Sequence, residues 1–248
     1  RARLDLAFPP AAHRQGLSTP APRPSWRQPA MTLRTLPAYG LYAITPDRAM
    51  TLPKLVNAAE EALRGGARLL QYRRKGLSAA ESKPEVEALV ACCNRHDALL
   101  FVNDDVALAR EAGAHGVHLG RDDGDYQALA RDGSRRLLLG VSCYNSLALA
   151  RAAADAGVDY VAFGSMYPTS TKPEAVHCPL TVLSQAHAEL RLPIVAIGGI
   201  TPDNAARVIE AGADFVAAIG GVFDQASVFE SAARYARLFT TRRNETDV

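Results

Sequence analysis

From about residue 39 onward, short apolar runs alternate with segments of helical composition until the chain ends. The runs cover 41–44, 69–72, 98–102, 116–119, 137–141, 160–163, 194–197 and 215–219. Each is four or five residues long and built mainly from aliphatic and aromatic side chains, the pattern of strands buried on both faces of a parallel sheet. Their starts fall roughly 18 to 34 residues apart, the length of a strand, a helix and two loops. Eight such units predict an α/β fold, a single (β/α)8 barrel of the TIM type, whose closure removes every sheet edge.

The intervening segments carry helix signals. In the second, Val86, Leu89, Val90 and Cys93 recur at helical spacing, and Ser82 and Glu85 around Pro84 resemble a capping box. Four helix ends share one phrase: GGARLL at 65–70, AGAHGV at 112–117, AGVDYV at 156–161 and AGADFV at 211–216. In each, a glycine is placed to end a helix in the left-handed conformation, and the apolar residues after it open strands two, four, six and eight. The phrase marks repeated architecture.

Composition adds an extension and removes several function classes. Residues 1–38 have no helical or strand period, and before Met31 they hold six prolines, five arginines and one acid, Asp5. This reads as a disordered extension, outside the barrel at 39–241, with 242–248 as a tail. It lacks the apolar core of a secretory signal, and since the globular pattern begins soon after Met31 a further reading is a stretch not normally translated. The formal charge of the 248-residue chain is only +2 and its basic residues are scattered, so no nucleic-acid surface is expected. No apolar run reaches the ~18 residues of a membrane span. Cys92, Cys93, Cys143 and Cys178 show neither metal-ligand nor redox spacing, which points to reduced thiols and a cytoplasmic protein. Oligomeric state is left open, a homo-oligomer included.

In such a barrel, chemistry belongs just past the C-terminal ends of the strands. Strand three ends in Asn103, Asp104 and Asp105, and strand four in Gly120, Arg121, Asp122 and Asp123. A right-handed crossover makes these strands neighbours, so Asp104 and Asp123 can converge on a divalent cation. Capping of the helices that follow is the other use of the same acids, and spacing alone leaves both open. Strand two ends in Gln71, Arg73 and Lys75 on one face, suited to a phosphate array. Ser142 follows strand five, and a long loop after strand six, 164–179, brings Thr169, Ser170, Thr171 and Lys172. Glycine pairs after strands seven and eight, Gly198-Gly199 and Gly220-Gly221, let backbone N–H groups approach a phosphate. His118 alternates on strand four and reads as a core histidine or a contact at the barrel mouth. Tyr42, Tyr160 and Tyr167 read as packing residues.

Six segments together resemble the thiamine-phosphate synthase family: QYRRK at 71–75, FVNDDVALA at 101–109, HLGRDD at 118–123, GVSCYN at 140–145, YPTSTKP at 167–173 and AIGGITPDNA at 196–205. The resemblance implies a transferase that joins 4-amino-5-hydroxymethyl-2-methylpyrimidine diphosphate to a thiazole phosphate, or its carboxylated form, and releases pyrophosphate. It implies Mg²⁺ as cofactor on Asp104 and Asp123, and pyrophosphate on Gln71, Arg73, Lys75, Asn103 and Lys172. Ser142 would lie near the pyrimidine. Thr169, Thr171 and the backbone of Gly199, Ile219 and Gly220 would hold the thiazole phosphate. Arg73, Lys75, Ser142 and Lys172 would carry the catalysis. Arg121, Gly220 and Cys178 depart from the family's usual glutamine, serine and glycine. A sister branch that aromatises the thiazole precursor or regulates shares the barrel, but would lack the paired aspartates and the QxRxK donors. Other phosphate-binding barrel isomerases and non-enzymatic binding proteins are more distant alternatives.

Overall fold

In a computed structural model, which describes residues 35–121, 123–132, 136–169 and 174–246, eight parallel strands close into one barrel. They are β1 (Gly40–Ile44), β2 (Ala67–Tyr72), β3 (Leu99–Asn103), β4 (Gly116–Leu119), β5 (Leu138–Tyr144), β6 (Tyr160–Phe163), β7 (Ile194–Ile197) and β8 (Phe215–Ala218). β8 pairs back onto β1, so each strand has two hydrogen-bonded neighbours. Helices α1 (Leu52–Arg64), α2 (Ala79–Arg95), α3 (Val106–Glu111), α4 (Tyr126–Arg131), α5 (Leu147–Ala156), α6 (Leu180–Glu189) and α7 (Ala205–Glu210) cross between successive strands. A short α8 (Gly220–Phe223) and a long α9 (Val228–Thr246) follow the last strand. No helix among the described residues is long and apolar enough to cross a membrane.

Several strand boundaries differ from the sequence reading by one to three residues, and two of them, with the start of α2, have a visible cause. β5 continues through Ser142 to Tyr144 because it still pairs with β6, across a register shift between those two residues. β8 stops at Ala218, and Ile219 leaves the strand to open α8. The box that starts α2 is Ser78 and Glu81, not Ser82 and Glu85: Glu81 N–H donates to Ser78 Oγ at 3.3 Å and Ser78 N–H to Glu81 Oε2 at 2.9 Å. Pro84 then lies in the second turn, where its missing N–H forfeits a bond without stopping a helix already closed upstream. Glu85 instead accepts from Tyr72 OH at 2.7 Å.

The repeated phrase is a joint between helix and strand. Gly66, Gly113, Gly157 and Gly212 all have φ between 70° and 110°, a conformation glycine adopts without the steric cost of a Cβ. Two residues further on, His115, Asp159 and Asp214 accept from the backbone N–H of Leu100, Leu139 and Ile194 at 2.9, 2.7 and 2.9 Å. The starts of β4, β6 and β8 are thereby each fastened to the odd strand before them.

Alternating strand residues divide the core into two. Leu41, Leu70, Val102, Leu119, Val161 and Phe163 face outward into the layer under the helices. Tyr42, Leu69, Phe101, Leu138, Tyr160, Val195 and Phe215 fill the barrel interior. There the rings of Tyr42, Phe101 and Tyr160 pack with centroids 5.4 to 6.0 Å apart. Two glycines make room for them. A Cβ on Gly116 would stand 2.3 Å from Phe101, and one on Gly140 only 1.9 Å from Tyr160. Leu36 packs against the same interior cluster, and Tyr39 stacks on Phe239 of α9 at 5.8 Å. The rest of the expected extension, residues 1–34, lies outside the described residues.

Candidate active site

The acids after β3 and β4 divide their work. Asp105 caps α3, accepting from Leu108 N–H at 2.8 Å, and Asp125 caps α4 from Ala128 N–H at 2.9 Å. Asp104 does not cap. It takes a left-handed φ of 67°, and its N–H donates to His118 O on β4 at 2.9 Å. Asp123 accepts from Gly120 N–H at 2.9 Å, and its side chain is hydrogen-bonded to that of Asp104. Burial first, and Asp123 second, push the Asp104 carboxyl up to about 6, while Lys75 and Arg73 pull it back down. Asp104 is half-buried and Asp123 exposed, and two carboxyls in contact hold a proton between them or call for a cation. Among the described residues no cluster of three or more His, Cys, Asp or Glu side chains could hold a metal. The pair would supply two hard oxygen ligands and leave other positions to water and ligand oxygens, a donor set that fits Mg²⁺. Asp122 lies outside the described residues.

Cations border this pair. Arg73 donates to Asp47 Oδ2 at 3.2 Å, Lys75 N–H to Asp47 Oδ1 at 2.8 Å, and Arg73 N–H to buried Thr45 Oγ1 at 2.9 Å. Thr45 and Asp47, just past β1, thus shape the turn that carries both cations toward Asp104. Arg74 turns the other way, to Arg48 O at 2.8 Å and Glu85 at 3.9 Å. A cavity of about 300 Å³ opens beside them, lined among others by Lys75, Asn103 and Asp104. Gln71 is buried and points into the barrel, where its amide donates to Tyr42 OH at 2.9 Å.

Below the mouth, Ser142 and His118 meet. His118 Nε2 lies 2.8 Å from Ser142 Oγ and Nδ1 2.8 Å from Tyr160 OH, with the imidazole stacked on the Tyr160 ring at 5.6 Å. Burial holds this histidine neutral, its pKa lowered to about 4. On the opposite side, Gly198 and Gly199 have φ of 103° and 60°, and a Cβ on Gly199 would stand 2.3 Å from Pro168 O. Glycine there lets the loop after β6 lie on the end of β7. Ile219 and Gly220 form the turn into α8. Thr169 is described, whereas Ser170, Thr171 and Lys172 lie outside the described residues.

Residues 41–222 match the family model of thiamine monophosphate synthase. The chain belongs to this family. It is similar to the thiamine-phosphate synthase of Thioalkalivibrio sulfidiphilus, with 49% identity over 200 residues that cover 81% of this chain and 95% of that one. It is equally similar to that of Methylobacillus flagellatus, with 49% identity over 210 residues, 84% of this chain and 100% of the other. Among solved structures, a thiamine phosphate pyrophosphorylase from Pyrococcus furiosus superposes with a TM-score of 0.73 at 32% identity, over 82% of this chain and 96% of that one.

As a member of the thiamine monophosphate synthase family, the chain accommodates its unusual residues locally. The Arg121 guanidinium lies over the Tyr144 ring at 5.0 Å, and the Arg121 backbone N–H donates to Tyr144 OH at 3.3 Å. Cys178 is buried and its N–H donates to Ser165 O at 2.8 Å, tying off the base of the long loop. Sequence reasoning missed Thr45 and Asp47, for which the one signal was polarity directly after a strand. It also assigned Tyr42 and Tyr160 to packing alone. Their rings do pack, but their hydroxyls are hydrogen-bonded to each other at 3.0 Å.

Proposed function

We propose that this chain is a transferase that makes thiamine phosphate from 4-amino-5-hydroxymethyl-2-methylpyrimidine diphosphate and a thiazole phosphate or its carboxylated form. The observation that carries this reading is the meeting of Asp104 and Asp123 with Arg73 and Lys75 at the barrel mouth. In the reaction, the bond between the pyrimidine methylene carbon and the pyrophosphate oxygen breaks, and its electron pair leaves with pyrophosphate. The thiazole nitrogen then uses its lone pair to form the new carbon–nitrogen bond. An aminopyrimidine spreads positive charge from its methylene into the ring, so the barrier lies chiefly in stabilising the departing anion. Arg73 and Lys75, held by Asp47, supply that stabilisation, with Asn103 and Lys172 as further ligands, while Gln71, buried in the barrel with its nitrogen on Tyr42, serves the pyrimidine. Asp104 and Asp123 would hold Mg²⁺, which neutralises charge on the leaving group when bound. Ser142 faces the pyrimidine. Thr169, Thr171 and the backbone of Gly199, Ile219 and Gly220 hold the thiazole phosphate.

Under this reading 39–241 is the catalytic domain, 1–38 an extension and 242–248 a tail. The four cysteines are buried and none is in a disulfide, in keeping with the cytoplasm. The test is to supply both substrates with Mg²⁺, measure pyrophosphate release, and detect thiamine phosphate by fluorescence after oxidation. Release that needs both substrates and Mg²⁺ is the expected result. No product from either form of the thiazole would overturn the proposal.

A further inference from the structure

Five polar side chains from five different strands form an unbroken hydrogen-bonded line across the barrel. Gln71 Nε2 donates to Tyr42 OH at 2.9 Å; Tyr42 and Tyr160 hydroxyls are 3.0 Å apart; Tyr160 OH is 2.8 Å from His118 Nδ1; His118 Nε2 is 2.8 Å from Ser142 Oγ. The sense of each bond follows from the first. An amide nitrogen only donates, so Tyr42 accepts there; a buried hydroxyl proton left unused is costly, and Tyr160 OH, 3.0 Å away, is the acceptor that the line offers it. Tyr160 in turn gives its proton to Nδ1. An imidazole that accepts at Nδ1 and is neutral carries its hydrogen on Nε2, and that hydrogen goes to Ser142 Oγ. The Ser142 proton has then no use within the line. Burial drives both phenols well above their ordinary pKa, so neither loses the proton it passes on.

We propose that Tyr42, Tyr160 and His118 are positioning residues that fix His118 as the Nε2–H tautomer and thereby hold Ser142 as a hydrogen-bond donor toward the ligand. At the other end Gln71, its nitrogen committed to Tyr42, keeps its carbonyl oxygen as an acceptor. A donor and an acceptor fixed in this way suit a ring nitrogen and an exocyclic amino group, the chemistry of an aminopyrimidine. In the low dielectric of the barrel, bonds that all run one way also polarise one another. The identity of the ring rests on the proposed function, whereas the direction of the line does not.

Two orientations satisfy the same distances. The reverse one needs the Gln71 amide turned over, puts the imidazole hydrogen on Nδ1, and spends the Ser142 proton on Nε2, which leaves Oγ only an acceptor toward the ligand. They differ in one observable. Long-range 1H–15N spectra of the ligand-free protein labelled with 15N-histidine, with the His118 signals identified from a His118→Gln variant, should show a protonated Nε2 and a bare Nδ1. A protonated Nδ1 would overturn the proposal, and this measurement needs no activity and no altered line. In Tyr160→Phe, the loss of the donor to Nδ1 should give a mixture of tautomers. It should also weaken binding of the pyrimidine diphosphate roughly tenfold, about one hydrogen bond, with KM for the thiazole phosphate unchanged. An unaltered tautomer, or equal losses for both substrates, would count against a positioning role. A protonated Nε2 in a protein that makes no thiamine phosphate would leave the line standing and remove the substrate assignment.

Discussion

Replacing Asp104 by asparagine should move stability and turnover in opposite directions. The Asp104 carboxyl is raised from 3.8 to about 6 by burial and by Asp123. A native pKa above the unfolded one means the folded state binds the proton more tightly, so stability from this group falls as pH rises from about 4 to 6 and stays low above that. A gap of ~2 pH units corresponds to ~3 kcal/mol, and because the carboxyl is half-exposed and screened by water we take about 1 to 2 kcal/mol as the net penalty. Asparagine keeps the size and one oxygen, tolerates the positive φ at this position, and removes the charge. At pH 8 without metal, Asp104→Asn should therefore raise the unfolding free energy by about 1 to 2 kcal/mol, read from urea denaturation. With substrates and Mg²⁺ it should turn over roughly 10²- to 10³-fold more slowly in single-turnover kinetics, since a metal ligand and its charge are lost. An aspartate that merely capped a helix would show neither effect, because asparagine caps equally well. Unchanged turnover, or stability lost together with turnover, would refute the assignment of Asp104 as a ligand.

Two further predictions concern the barrel interior. Gly140→Ala would set a Cβ 1.9 Å from Tyr160 Cζ, so a fully buried ring must give by ~1.5 Å and its hydrogen bonds to Tyr42 and His118 must break. We expect a loss of roughly 2 to 5 kcal/mol, partly recovered when Tyr160→Leu is added; additive losses in the double variant would show that the two sites do not collide. His118, lowered from 6.5 to about 4, is a histidine kept neutral by burial, so its contribution is present above about pH 6.5 and lost as pH falls toward 4, by ~3 kcal/mol. Asp104 contributes with opposite sign in the same window, so the comparison belongs in the Asp104→Asn background. There, unfolding free energy should drop between pH 6.5 and 4, and His118→Gln should abolish the slope; a slope that survives the substitution would point to another group.

Much of the architecture was legible because it is local. The strands are continuous apolar runs, and a parallel strand covered on both faces needs nothing else to announce it. The glycines of the repeated phrase were readable as left-handed helix ends for the same reason, since that conformation is a property of one residue. Even so, Pro84 misled, because a proline marks a helix start only when no stronger cap precedes it, and Ser78 with Glu81 provides one. At the site, Asp104 and Asp105 are adjacent acids after one strand, and nothing in their order says which caps and which turns to the mouth. The bond from Asp104 N–H to β4 decides it. Tyr42 and Tyr160 stand 118 residues apart and share a hydrogen bond only because the sheet closes and brings β1 and β6 across one interior. Thr45 and Asp47 likewise acquire a purpose only when the end of β1 comes beside the turn after β2. Backbone preference and hydrophobic pattern act over a few residues, so they specify elements. Which side chains face one another depends on closure and register, which arise when every strand is in place.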